Sequence, residues 1–75
     1  MRNFIEFYGS AHLNNRNIAS YETRDGVMLV AENIITGEIL GELAFDDTES
    51  ADDWFANLQG ESNAQRLDIA LEIIR

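Results

Sequence analysis

The sequence predicts an α+β fold: a small antiparallel β-sheet of three to four strands in a meander, with two C-terminal α-helices packed on one face. Three observations predict it. Asp25-Gly26 is the dipeptide that a tight hairpin favours, because a type I′ turn needs positive φ at both central positions. Thr36-Gly37 is a weaker second turn signal, at a spacing that keeps one set of apolar residues on one sheet face. Beyond residue 50 the apolar period lengthens to that of a helix, in two separate stretches.

Each element follows from its residues. Residues 3–8 (Asn-Phe-Ile-Glu-Phe-Tyr) are aromatic-rich and end at Gly9, which reads as a strand. Residues 10–17 are polar, with a weak apolar signal from Leu13, and read as a loop. Residues 18–45 read as a three-stranded meander. With two-residue loops at both turns, Thr23 faces Met28 and Ile34 faces Ile39. One face then carries Tyr21, Met28, Val30, Ile34, Ile39, Leu43 and Phe45. Glu32 falls on that face too, opposite Gly41, unless it sits at the sheet rim or the second loop is longer. The other, open face carries Val27, Leu29 and Leu40 beside Glu22, Glu38, Glu42 and Asp46.

Two helices come next. Ala51, Trp54, Phe55 and Leu58 fall at i, i+3, i+4 and i+7, an apolar stripe that points to core packing for the aromatic pair. Ser50 is the expected N-cap, Asp52 and Asp53 complement the helix dipole, and Gly60 suits the position after the C-cap. Ser62-Asn63-Ala64-Gln65 has the form of a capping box, and Leu67, Ala70, Leu71 and Ile74 make the second stripe. Ile69 and Ile73 lie off that stripe, so the last helix is apolar on two faces. They belong either to the core or to a contact with another chain.

Composition bounds the function. The 75 residues suggest a single domain, 1–75, which buries about 60% of its unfolded surface and retains only about 3–5 kcal/mol. There is no Cys, which excludes disulfides, Cys-ligated zinc and iron–sulfur clusters; the single His, His12, excludes His-based metal cages. The five basic residues are all Arg, at 2, 16, 24, 66 and 75, so there is neither a Schiff-base lysine nor a P-loop lysine. A formal charge of -9, with the Arg residues dispersed, argues against contact with nucleic-acid phosphates or an anionic membrane. The first residues do not form a signal peptide, since Glu6 interrupts a short apolar run, and no stretch approaches the roughly 20 apolar residues of a membrane span. A soluble, cytoplasmic protein without cofactor is expected.

The densest chemical feature is residues 46–53, where Asp46, Asp47, Glu49, Asp52 and Asp53 supply five carboxylates in eight residues. Three readings stand open: a solvated segment at a helix start, a divalent-cation site, and a docking surface for a basic partner. The EF-hand template fails, with Ser50 and Asn57 where acidic ligands belong and Ala51 where the glycine belongs. Ser10, His12 and Asp25 can be written as a triad, but nothing marks a nucleophile elbow. A non-enzyme is expected, because a two-layer chain of this size has little room for a cleft. On the open sheet face Glu38, Glu42 and Asp46 recur every fourth residue, about 13–14 Å apart. That is wider than the phosphate spacing of DNA, so the sheet alone does not replicate a phosphate row. Joined to residues 46–53 and to Glu61, Asp68 and Glu72, it makes a broad negative surface.

In size and charge the chain resembles the small inhibitors that phages and mobile elements encode against host nucleases, including anti-CRISPR and anti-restriction proteins. The resemblance implies an acidic inhibitor or decoy whose carboxylates replace phosphates, a DNA mimic in a basic nucleic-acid-binding groove of a partner protein. The partner-binding candidates are Glu38, Glu42, Asp46, Asp47, Glu49, Asp52 and Asp53, with no direct contact to nucleic acid. The alternative is a homodimeric structural or regulatory module that pairs through Val27, Leu29 and Leu40 or through Ile69 and Ile73.

Overall fold

Strands β1 (Asn3–Ala11), β2 (Arg16–Thr23), β3 (Gly26–Asn33) and β4 (Ile39–Phe45) precede helices α1 (Thr48–Ala56) and α2 (Asn63–Ile74) in a computed structural model that describes residues 3–11 and 15–74. The strands lie in the order β1-β2-β3-β4, all antiparallel, which is the expected meander with its two helices following. The polar stretch around residue 10 is not all loop. Ser10 pairs with Asn17 and Ala11 with Arg16, because a hairpin ladder satisfies backbone groups whatever the side chains. His12 and Leu13 lie outside the described residues, as do Arg2 and Arg75.

The first turn keeps a two-residue loop at a shifted position, and the second is longer than two residues. At the first, Arg24 and Asp25 form the turn and Gly26 is already the first residue of β3, paired with Thr23. Asp25 does not take positive φ, so the type I′ reading does not hold; Gly26 does, at φ 155°. The register moves by two residues and every side chain keeps its face. At the second, the loop is longer and Leu40 is bulged where the pairing shifts from Ala31–Gly41 to Glu32–Ile39. Val27 pairs with Phe45 and Leu29 with Leu43, one residue off the expected pairing. A one-residue slip exchanges faces. Leu43 and Phe45 therefore share a face with Val27 and Leu29, while Tyr21, Met28 and Val30 lie on the opposite one.

The helices cover the face of Ile18, Val27, Leu29 and Ala31. These four form one core with Ala51 and Phe55 of α1 and Leu67, Ala70, Leu71 and Ile74 of α2, and Leu40, Leu43, Phe45 and Trp54 pack against it. Val27, Leu29 and Leu40 are thus core contacts and not an open patch for a second copy. The expected stripes on both helices are the ones buried. Trp54 is half-buried against Phe45, with ring centroids 5.7 Å apart. Ile69 is half-buried and Ile73 exposed.

The caps are partly as expected. Asp47 caps α1, its Oδ1 accepting from the Ser50 amide at 2.7 Å, in place of Ser50 itself. The helix stops at Ala56 with Asn57 as C-cap, so Gly60 lies further on, where its backbone closely approaches Arg66. Ser62 Oγ accepts from the Gln65 amide, the first bond of a capping box, but Gln65 Oε1 reaches past Ser62 and accepts from the Glu61 amide instead. The shortest extent of 17 Å, against 32 and 29 Å, leaves space for one helical layer on one side of the sheet. No helix among the described residues is long and apolar enough to cross a membrane.

Candidate functional site

The sheet face away from the helices is built by an irregular first strand. Strict alternation along β1 would put Phe4 and Phe7 on opposite sides. Register shifts between Phe4 and Glu6 and between Phe7 and Gly9 break the alternation twice. Ile5 and Tyr8, the residues passed over, pack against the core, while Phe4 and Phe7 both stay on the uncovered face.

Three cross-strand rows result. Phe4, Tyr21, Met28 and Ala44 make the first, with the Phe4 and Tyr21 rings edge-to-face at 5.9 Å. Phe7, Ala19, Val30 and Glu42 make the second; Asn17, Glu32 and Ile39 belong to the third. Val30 and Ala19 are buried here although no helix crosses them, whereas Phe4 and Phe7 are 60% and 54% exposed. Asn17 Oδ1 is buried and accepts no hydrogen bond from a described residue. The charged members of the three rows, Glu32 and Glu42, are both acidic. Chemically this is an apolar surface with carboxylates at its margin.

The seven candidate carboxylates are spread over three places. Glu42 stands on the uncovered face opposite Val30. Glu38 is exposed in the loop between β3 and β4. Asp46, Asp47, Glu49 and Asp53 are exposed around the start of α1. The bond from the Ser50 amide to Asp47 holds that carboxyl below its ordinary 3.8. Asp52 turns inward: the Tyr8 hydroxyl donates to its Oδ1, tying α1 to β1, and Glu6 joins the pair. Two carboxyls that hydrogen-bond each other need a proton between them. Glu6 accordingly titrates above its ordinary 4.5, through its bond to Asp52 first and burial second. Burial, then the bond to Asp52, pushes Tyr8 upward. Among the described residues no three His, Asp or Glu side chains stand close enough together to hold a metal ion.

Sequence reasoning missed Phe4, Phe7, Tyr21 and Met28 as members of one surface. The available signal was the three-residue spacing of Phe4 and Phe7, which fits neither a regular strand nor a buried aromatic pair.

The sequence model of the family described as "Anti-CRISPR protein Acr30-35/AcrF1" matches residues 1–75. No curated protein matches the chain.

Proposed function

Because the chain belongs to the anti-CRISPR family Acr30-35/AcrF1, we propose that it disables its CRISPR–Cas target by docking the uncovered sheet face onto a protein of that machinery, with no chemical step. The observation that carries this reading is the pair of exposed rings, Phe4 and Phe7, beside Tyr21 and Met28 on a face the helices leave bare. Large aromatic side chains in such a setting are the usual anchors of an interface. A charge of -9 supports a basic counterpart. Surfaces that hold guide and target nucleic acid are basic by necessity, so the chain would sit in or beside one and compete with nucleic acid while binding none itself. That interaction would take place in the cytoplasm of the infected cell.

The carboxylates divide their roles in this reading. Glu42 lies within the contact. Asp46, Glu49 and Asp53 steer the approach, whereas Asp47 and Asp52 serve mainly the chain's own structure.

The test is inhibition of target-DNA binding by a panel of purified, guide-loaded CRISPR–Cas effector complexes. The wild-type protein should block one of them, and Phe7→Ala should weaken the block at least tenfold with the fold intact. Full potency in both Phe4→Ala and Phe7→Ala would remove the sheet face from the mechanism. A homodimer sealed through the same bare face is the second reading, favoured by the same apolar rows; sedimentation as a monomer at high concentration would dismiss it.

A further inference from the structure

Among the described residues, the most exposed large apolar side chain outside the sheet face is Ile35, at 71%, and its neighbour Ile34 is 44% exposed. Both stand on the loop between β3 and β4, where a flexible, polar tip is the ordinary expectation. The loop is instead bonded throughout. The Asn33 amide donates to the Glu38 carbonyl and the Ile34 amide to the Asn15 carbonyl, both at 2.8 Å. Asn33 Oδ1 accepts from the Ile35 and Thr36 amides at 2.9 and 3.1 Å. The Gly37 amide donates to the Asn33 carbonyl, and the Glu38 amide to Thr36 Oγ1 at 3.2 Å. Six consecutive amides are thereby satisfied within the chain. Asn15 and Gly37 hold the left-handed conformations this needs, at φ 52° and 76°.

A loop fixed in this way holds Ile35 largely, and Ile34 in part, in water. The arrangement has the energetics of a pre-formed anchor: the ordering cost is met before association, so insertion of the side chains returns more of its hydrophobic free energy. The tip is also continuous with the bare sheet face, since Ile39, 51% exposed, belongs to the third row of that face. Glu38 beside it adds a negative charge at the loop margin.

We propose that the β3–β4 loop is a second, pre-organised anchor, whose Ile34 and Ile35 side chains enter an apolar notch on the same partner protein, edged by Lys or Arg side chains that meet Glu38. This rests on the docking reading given above. It adds a contact that the sheet face does not require, and it sets the angle at which the partner must cross the sheet.

Two measurements test it. In the free protein, amide hydrogen exchange over residues 34–38 should be slow, as for strand residues; exchange at the rate of an unstructured peptide would overturn the pre-formed loop. Affinity is then measured for the guide-loaded effector complex that the wild-type protein blocks. Ile35→Ser should weaken binding by about 30-fold, chiefly through faster dissociation, with an unchanged melting temperature. Ile73→Ser, at an exposed position on α2 away from the loop, should bind like wild type. If Ile35→Ser keeps full affinity while Phe7→Ala loses it, the loop anchor falls and the sheet face stands. If Phe4→Ala and Phe7→Ala both keep full affinity and Ile35→Ser loses it, the anchor stands and the sheet face falls. Failure of the wild-type chain to bind any effector complex would sink both.

Discussion

Gly26 has no room for a side chain. A Cβ there would lie 2.3 Å from the Phe45 carbonyl oxygen, and the residue already sits at φ 155°. Gly26→Val must therefore push β4 away from the first hairpin as well as strain its own backbone. We expect a loss of more than about 1 kcal/mol, or a melting temperature lower by at least about 4–8 °C for a domain of this size. An unchanged melting point would mean that β3 and β4 do not approach here. Glu6 makes a second prediction at this scale. Its folded pKa is raised, so its protonated form is the one the fold favours. Its contribution is fully present below the ordinary 4.5 and is lost as pH rises through the higher folded value. Glu6→Gln keeps a neutral group beside Asp52 at every pH. It should be more stable than wild type near neutrality, with the difference closing below about pH 4 in urea melts. A gap that widens toward acid pH would reverse the assignment.

Helix α1 depends on its N-cap, Asp47, more than its sequence suggests. The Asp47 carboxylate accepts from the Ser50 amide, and its folded pKa is lowered. The sign is opposite to that of Glu6: this stabilisation is present above the ordinary 3.8 and lost as pH falls through the lower folded value. Asp47→Ala should lower the melting temperature at neutral pH and leave little difference in strong acid, while Ser50→Ala, which keeps the amide and removes only the hydroxyl, should lower it less. The displaced cap shows what was legible in the sequence. The stripes of α1 and α2 were readable because each helix hides one face, so period and burial agree. The strands were harder. β3 is apolar on both faces, with Val27, Leu29 and Ala31 buried on one and Val30 on the other, so alternation could not say which face the helices cover. The pairing of β3 with β4 depended on a six-residue network around Asn33, and a side chain that accepts from two amides leaves no signature at the dipeptide level. The sequence indicates a bare face and places Glu42 on it, but its other members differ, since the two bulges of β1 and the slip of β4 move them. Asp52 read as one of five equivalent acids because its partners, Glu6 and Tyr8, lie more than 40 positions earlier.

For the whole molecule the charges fall, under the docking proposal, into groups with distinct duties, and a variant can address one alone. Asp46→Asn, Glu49→Gln and Asp53→Asn together remove three exposed negative charges and spare the Asp47 cap and the Asp52 bond. The association rate with the blocked effector complex should fall and its dependence on salt should flatten, with dissociation nearly unaltered. Unchanged association at low salt would show residues 46–53 to be merely solvated. The order of the strands also bears on time. Each strand pairs only with its neighbours in sequence, so every sheet contact closes a short loop, and the sequence contains no Pro and no Cys. Short-range pairing favours rapid folding, and neither prolyl isomerisation nor disulfide exchange can delay it. After dilution from denaturant, tryptophan fluorescence at Trp54 should recover in one exponential phase within about a second. A chain that folds this promptly is ready for its target almost as soon as the ribosome releases it, before much foreign DNA has been surveyed.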